Sequence, residues 1–320
     1  MSGPRPAPQP SPRPGLSLQP PRTSVSARRP RLTDAETAAR VLDAAVARVA
    51  ESGVHVALDQ VSFERAIEDA QVSRASAYRR WPTKVAFHAD VLAETARRTR
   101  LEPDSETDIA ALHAGIADLW AATDGTQGRR DLIVEALRLA VSYDLSRLRA
   151  SAPYRTYLTL AAALTALPAG IQPEVGSALA ETQRRFDRHR AAVFAGLPDL
   201  IGYRLTGSGP DPLLDLTHAS GALMTGILLR SFADPATLSE RSDRSPYGSS
   251  VSRLWSDPEV QLVGLFLAHL EPDPDVIWDA TRVQRSRDLL ADRAAWAARL
   301  RDAQRDTAPG EDRSAVGRAN

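Results

Sequence analysis

Apolar side chains recur at every third or fourth position along most of this chain, the spacing that gathers them on one helix face. Ala38, Leu42, Ala45 and Val49 make the first such stripe, which stops at Gly53. Thr33 and Glu36 precede it with the spacing of a capping box, in which a hydroxyl and a carboxylate satisfy the free N–H groups of a helix start. Phe63, Ala66, Ile67 and Ala70 predict a second, shorter helix. Ser73 caps a third that reaches Trp81; Pro82 ends it, because its ring removes a donor and disfavours helix in the residue before. A fourth starts around Thr83 and runs through Val85, Phe87, Val91 and Leu92 towards Arg100. Beyond Arg100 the helical period continues without strand alternation. Ile109, Leu112, Ile116, Leu119 and Trp120 form one stripe, on a helix at 105–121, and Leu132, Ile133, Ala136, Leu137, Ala140 and Val141 form another. Further helices are predicted at 152–167, 173–195, 212–232, 257–270 and 276–305, with a Pro- and Gly-rich break at 205–212 and a Ser-rich loop at 238–254. The fold class predicted is all-α.

The third helix divides its faces: Arg74, Tyr78 and Arg79 lie on one side, Ala77 and Trp81 on the other. A slim helix with small residues near its backbone, polar tips outward and an apolar anchor inward is what a helix-turn-helix presents to a DNA groove. Lys84, at the start of the fourth helix, is the only lysine in the chain against thirty-nine arginines. A compact ammonium suits a single backbone phosphate, whereas the planar guanidinium suits bidentate partners. Blander readings stand beside these: a lysine that survived a bias towards arginine, a half-buried core Tyr78, and a solvated face carrying Arg79 and Arg80.

Residues 33–92 resemble the DNA-binding domain of the tetracycline-repressor (TetR) family. The family's valine, serine, Ser/Thr, tyrosine, aromatic, lysine string is met by Val72, Ser73, Ser76, Tyr78, Trp81 and Lys84, and Ala44, Ala45, Glu51, Ser52 and Gly53 also match. The resemblance covers about a fifth of the chain. It implies that Ser76, Tyr78 and Lys84 hold phosphates while Arg74, Ala75 and Arg79 face base edges, where an arginine can read guanine bidentately. Ser73 and Arg80 complete the candidate DNA-binding set. Gln71 stands where the family has a turn glycine, Ala66 and Ile67 invert its usual pair, Ala77 replaces a larger apolar residue, and 54–61 lengthen the loop before the second helix.

The resemblance also implies an organisation. Residues 1–32 are a Pro/Arg-rich tail, 33–82 the helix-turn-helix domain, 83–100 a connecting helix, 101–275 a helical ligand-binding and dimerisation domain, 276–306 an extra C-terminal helix and 307–320 a second tail. In the family two late helices pair across a dimer. Here the segments 213–229 and 260–270 are apolar nearly all round, with Gly221 and Gly226 permitting close approach, so each must be buried on all faces, in a dimer interface or in a monomer's core. A homodimer would read a palindromic operator in double-stranded DNA. The helix at 276–305 adds to that interface or is a solvated helix pinned by its tryptophans.

Composition narrows the classes. Forty basic and forty acidic residues cancel, so a nucleic-acid footprint must be local. Between Ala70 and Ala89 the charges are Arg74, Arg79, Arg80 and Lys84 with no acid among them. Without cysteine there is no thiolate site or disulfide, in keeping with a cytoplasmic location, and no membrane-spanning or secretory stretch is read. Residues 1–30 hold nine of twenty-three prolines, five arginines and no acid, which predicts disorder or a basic arm on DNA. His113, Trp120, Tyr143, Tyr157 and Phe186, with Tyr154 and His189 beside them, are candidates to line an effector pocket, although a histidine on an apolar stripe is more often bonded within a core. No cofactor or metal motif is read. Three functions follow: a dimeric, sequence-specific DNA-binding regulator, repressing until a small-molecule effector releases it; the same fold without an effector; and an all-α enzyme, against which the missing catalytic motifs speak.

Overall fold

The computed structural model describes residues 32–52, 62–101, 115, 116, 119, 125–195, 197–207 and 209–292, together with Gly3, Ala294, Ala295 and Ala298. Apart from Gly3 and Leu32, both predicted tails, with the 54–61 loop and most of the predicted 105–121 helix including His113 and Trp120, lie outside the described residues.

The protein is predominantly helical, and each early helix starts on a side-chain cap. In α1 (Asp34–Ser52) the Thr33 N–H donates to Glu36 Oε2 at 2.7 Å and the Glu36 N–H to Thr33 Oγ1 at 3.2 Å, the expected capping box. Ser62 caps α2 (Phe63–Asp69), Ser73 caps α3 (Arg74–Arg80) and Thr83 caps α4 (Lys84–Arg98); each hydroxyl accepts from the backbone N–H three residues on. Between α2 and α3 the chain turns at Gln71, whose φ of 53° is left-handed. Glycine takes that conformation without a Cβ penalty; Gln71 takes it in spite of its Cβ, and the turn forms.

These four helices close on an aromatic core. Phe63 and Phe87 lie 4.4 Å apart between ring centroids, and Trp81 meets them edge-on at 5.9 and 5.6 Å. Val41, Ala45, Ile67 and Ala77 complete it.

The larger part holds α5 (Gly125–Ala150), α6 (Ala152–Ala163), α7 (Gln172–Phe194), the single-turn α8 (Leu197–Leu200), α9 (Pro212–Ala233), the short α10 (Ala236–Ser239), α11 (Asp257–Leu267) and α12 (Ala280–Ala291). The main core forms between α5, α7, α9 and α11. α4 joins the two parts by packing along α7 through Leu92, Ala96, Val175 and Leu179. Two polar bonds fasten this seam: Thr182 Oγ1 donates to the Ala96 carbonyl and Arg185 to the Thr99 carbonyl, both at 2.8 Å.

Several expectations are corrected. Short strands interrupt the all-helical body: β1 (Tyr203–Leu205) pairs antiparallel with β4 (Leu270–Pro272), and β2 (Ser242–Arg244) with β3 (Arg253–Trp255). Three-residue strands are too short for alternation to register. The predicted 238–254 loop is thus largely an ordered hairpin. Arg241 ties it to α11, donating to both oxygens of Glu259 at 2.9 and 3.0 Å; Glu259 is 1% exposed and also caps α11 with Ser256. α11 ends at Leu267, so Leu270 lies in a strand. The last helix begins at Ala280 instead of 276, because Asp279 caps it, and Trp278 before it packs over the Arg129 guanidinium at 5.4 Å.

α9 is not buried on all faces within one chain. Leu216, Met224, Ile227 and Leu228 are buried, whereas Ala219, Ala222, Gly226, Leu229 and Phe232 form an exposed apolar stripe. Gly226 faces open space, but Gly221 turns inward, where a Cβ would stand 3.5 Å from Arg190 Nη1. Among the described residues no helix is long and apolar enough to cross a membrane.

Candidate nucleic-acid interface and internal cavity

α3 is anchored by Ala77 and by Trp81 at its C-terminal end, both fully buried; the Trp81 indole N–H donates to Asp90 Oδ2 at 2.8 Å. With that side fixed, Arg74, Ala75, Tyr78 and Arg79 share the outward face, and Ser73 and Ser76 occupy its first turn, their hydroxyls 2.8 Å apart. Tyr78 is 44% exposed, although its ring edge also touches Phe63 at 5.1 Å. Lys84 is the first residue of α4 and its side chain is 69% exposed. The predicted set is thus brought to one surface except for Arg80, which lies 5.4 Å over the Trp81 ring.

The acid-free run of cations is not acid-free in space. Folding brings Glu68 to within 3.4 Å of Arg74, Asp90 to 3.0 Å from Arg80, and pairs Asp34 with Arg79. Glu64 meets two expected phosphate ligands at once: the Tyr78 hydroxyl donates to its Oε1 at 3.3 Å, and Lys84 Nζ is 3.9 Å from the same oxygen. The Glu64 carboxyl is held below the usual carboxylate range, first by its own backbone N–H and further by Lys84 and Tyr78. These acids come from α1, α2 and α4, so a count along the chain segment misses them.

The second feature is a cavity of about 140 Å³ inside the larger part, between α5, α7, α9 and α11. Its wall is almost wholly apolar, with Ile133, Leu137, Leu216, Met224 and Phe266 prominent. Of the predicted pocket residues, Tyr143, Phe186 and His189 line it. Tyr157 does not; it stacks on Tyr154 with ring centroids 6.3 Å apart, and burial pushes its phenol up to about 12. Tyr154 itself is bonded to Thr225 at 2.9 Å.

Three charged lining residues were not anticipated: Asp144, Arg147 and Arg190. Arg147 donates to Asp144 Oδ1 at 2.9 and 3.3 Å and to the Leu101 carbonyl at 3.2 Å. Arg190 Nη2 lies 3.6 Å from the other oxygen of Asp144, and its guanidinium packs 5.6 and 5.4 Å from the rings of Phe186 and Phe194. The spacing of Phe186, Arg190 and Phe194, each one turn from the next on a single helix face, is the signal that could have found it. Asp187 lies nearby, with its carboxylate bonded to Gln183 at 2.8 Å and 3.6 Å from His218; burial raises its pKa. No family model, curated protein or solved structure matches this chain.

Proposed function

We propose that this protein is a dimeric, sequence-specific DNA-binding regulator of the tetracycline-repressor kind, with α2 and α3 as its helix-turn-helix and α3 as the helix that enters the major groove. One observation carries this reading: α3 is capped by Ser73, pinned by Ala77 and Trp81, and offers Arg74, Ala75, Tyr78 and Arg79 together to solvent. The carboxylates on that face do not oppose it. The pairs of Arg74, Arg79 and Lys84 are solvent-exposed. Such pairs are worth about 0–1 kcal/mol each, so phosphate or a guanine edge can replace the carboxylate at little cost.

Dimerisation is supported by the outward stripe of α9, where small residues around Gly226 leave room for a second helix and Leu229 and Phe232 supply apolar area. Two copies would present two α3 helices to successive turns of a palindrome, about 34 Å apart. A repressing role released by an effector is supported by α7, which lines the cavity at Phe186 and bonds the end of α4 through Thr182 and Arg185. A ligand that shifts α7 pulls on the helix that begins at Lys84. A coupling of roughly 1–3 kcal/mol would weaken DNA binding several-fold or more.

The test is fluorescence anisotropy against labelled DNA from immediately upstream of the protein's own gene, with scrambled duplex as competitor. Saturable binding that survives the competitor is expected. Lys84→Ala should weaken binding to both duplexes and lower the salt slope by about one unit, whereas Arg79→Ala should relax base preference at one position of each half-site. Variants that bind with unchanged preference and salt slope would remove α3 and Lys84 from the reading surface.

A further inference from the structure

Arg190 is 5% exposed, and among the described residues none of its three guanidinium nitrogens finds a hydrogen-bond partner. A guanidinium carries five N–H donors and stays charged at any physiological pH, so its desolvation is tolerable only when those donors meet acceptors. Asp144 does not supply them: its hydrogen bonds go to Arg147, and its approach to Arg190 is an ion pair at 3.6 Å. One carboxylate thus serves two guanidiniums, and Asp187, which feels the Arg190 charge, makes no hydrogen bond to it. Asp187, on the other side, is turned to Gln183 and His218. The remaining faces of Arg190 meet Phe186 and Phe194, which stack on a guanidinium but accept no conventional hydrogen bond.

We infer that the cavity binds a compact apolar carboxylate, its carboxylate paired with Arg190 and its hydrocarbon part against the Leu, Ile, Met and Phe wall; this rests on the effector-pocket reading above. Three features select the class. A planar carboxylate accepts two parallel N–H bonds from a guanidinium, which a neutral hydroxyl cannot. One guanidinium with unbonded donors calls for a single planar acceptor group, and the nearly all-apolar wall offers little to the further oxygens of a phosphate. The volume, about 140 Å³, sets the size. It is close to the roughly 150 Å³ of an apolar cavity that accepts benzene, so a single ring or a short chain fits and a long-chain lipid does not. Arg190 lines the cavity with its nitrogens buried, so pairing with a bound head group requires its side chain to turn between Phe186 and Phe194.

Calorimetric titration of the full chain with phenylacetate and with its neutral counterpart 2-phenylethanol tests this. Phenylacetate is expected to bind at least about tenfold more tightly, the scale of one charge-assisted bidentate contact. Arg190→Met should erase that advantage and leave the alcohol's affinity in place. Equal affinity for acid and alcohol in the unaltered protein would overturn the assignment of Arg190 while the cavity reading survived; no binding of either would overturn both. Should Arg190→Met fail to fold, Ala140→Leu keeps Arg190 and takes up cavity volume, so it must weaken both ligands, and undiminished phenylacetate binding would place the acid elsewhere and overturn the inference. The titration contains no DNA. Acid binding that never alters the anisotropy of the DNA complex would therefore remove the effector role alone.

Discussion

The two ends of the molecule treat arginine in opposite ways. Around α3, Arg74, Arg79 and Arg80 stand in water with a carboxylate within reach of each, at sites where losing that partner costs little. In the cavity wall Arg190 has been taken out of water and given half a partner and two aromatic faces. Charge on the first surface is exchangeable, which suits the DNA interface proposed for it. Charge in the second site is a standing demand for an anion, which suits a site that waits for one ligand. The apolar supports differ too: the head is packed around Phe63, Trp81 and Phe87 at ring separations of 4.4 to 5.9 Å, whereas the body keeps a cavity of about 140 Å³.

The largest expected effect breaks the head alone. Trp81→Ala removes the ring that holds α3 against α2 and α4 and leaves Asp90 with Arg80 alone, and should cost about 3–5 kcal/mol. DNA binding should fall away while phenylacetate still binds, measured by anisotropy and calorimetry on one preparation. Loss of both together would mean that the seam of α4 on α7 makes head and body one cooperative unit.

A matched pair of substitutions tests the two arginines directly. Without ligand, Arg190→Met replaces a desolvated cation by an apolar chain of similar length and leaves Asp144 its bonds to Arg147, so stability should be unchanged or slightly raised. Arg79→Met, at the solvent-exposed pair with Asp34, should stay within about 0.5 kcal/mol. Urea unfolding midpoints compare them. A strongly destabilised Arg190→Met would show that Arg190 is structural, held by Asp144 and its rings, instead of a waiting ligand contact.

The head was the more legible half because its signals are local. Thr33 with Glu36, and Ser62, Ser73 and Thr83, act on backbone groups three residues away, and the periods of Ala38 to Val49 and Phe63 to Ala70 are read within one turn or two. The acids that face α3 were not legible as its partners, since Asp34 reaches Arg79 across forty-five positions. The cavity was legible only in fragments. Tyr143 and Phe186 could be named as amphipathic lining, but a void is a property of how α5, α7, α9 and α11 fail to fill the space between them, and no single stripe carries that information. Gly221 and Gly226 make the same point: both permit close approach, and only packing tells that the first faces Arg190 and the second faces outward.

The smallest expected effect concerns Glu64, whose carboxylate oxygen lies between the Tyr78 hydroxyl and Lys84 Nζ, the two groups proposed to share a phosphate. DNA has to displace that oxygen before either group is available. Glu64→Gln keeps the side-chain shape and removes the charge, so it should tighten binding to specific and scrambled duplexes alike, by up to about fivefold, the scale of one exposed ion pair of 0–1 kcal/mol. Base preference should not change, because phosphate contacts set register and carry no sequence information. Acidification is the poorer probe: the Glu64 carboxyl titrates below the ordinary range, so less perturbed carboxylates elsewhere would be neutralised first. Anisotropy at fixed salt and neutral pH decides the matter. Unchanged affinity would mean that Lys84 meets its phosphate without leaving Glu64, and weakened affinity that Glu64 orients Lys84 and Tyr78 for DNA instead of competing with it.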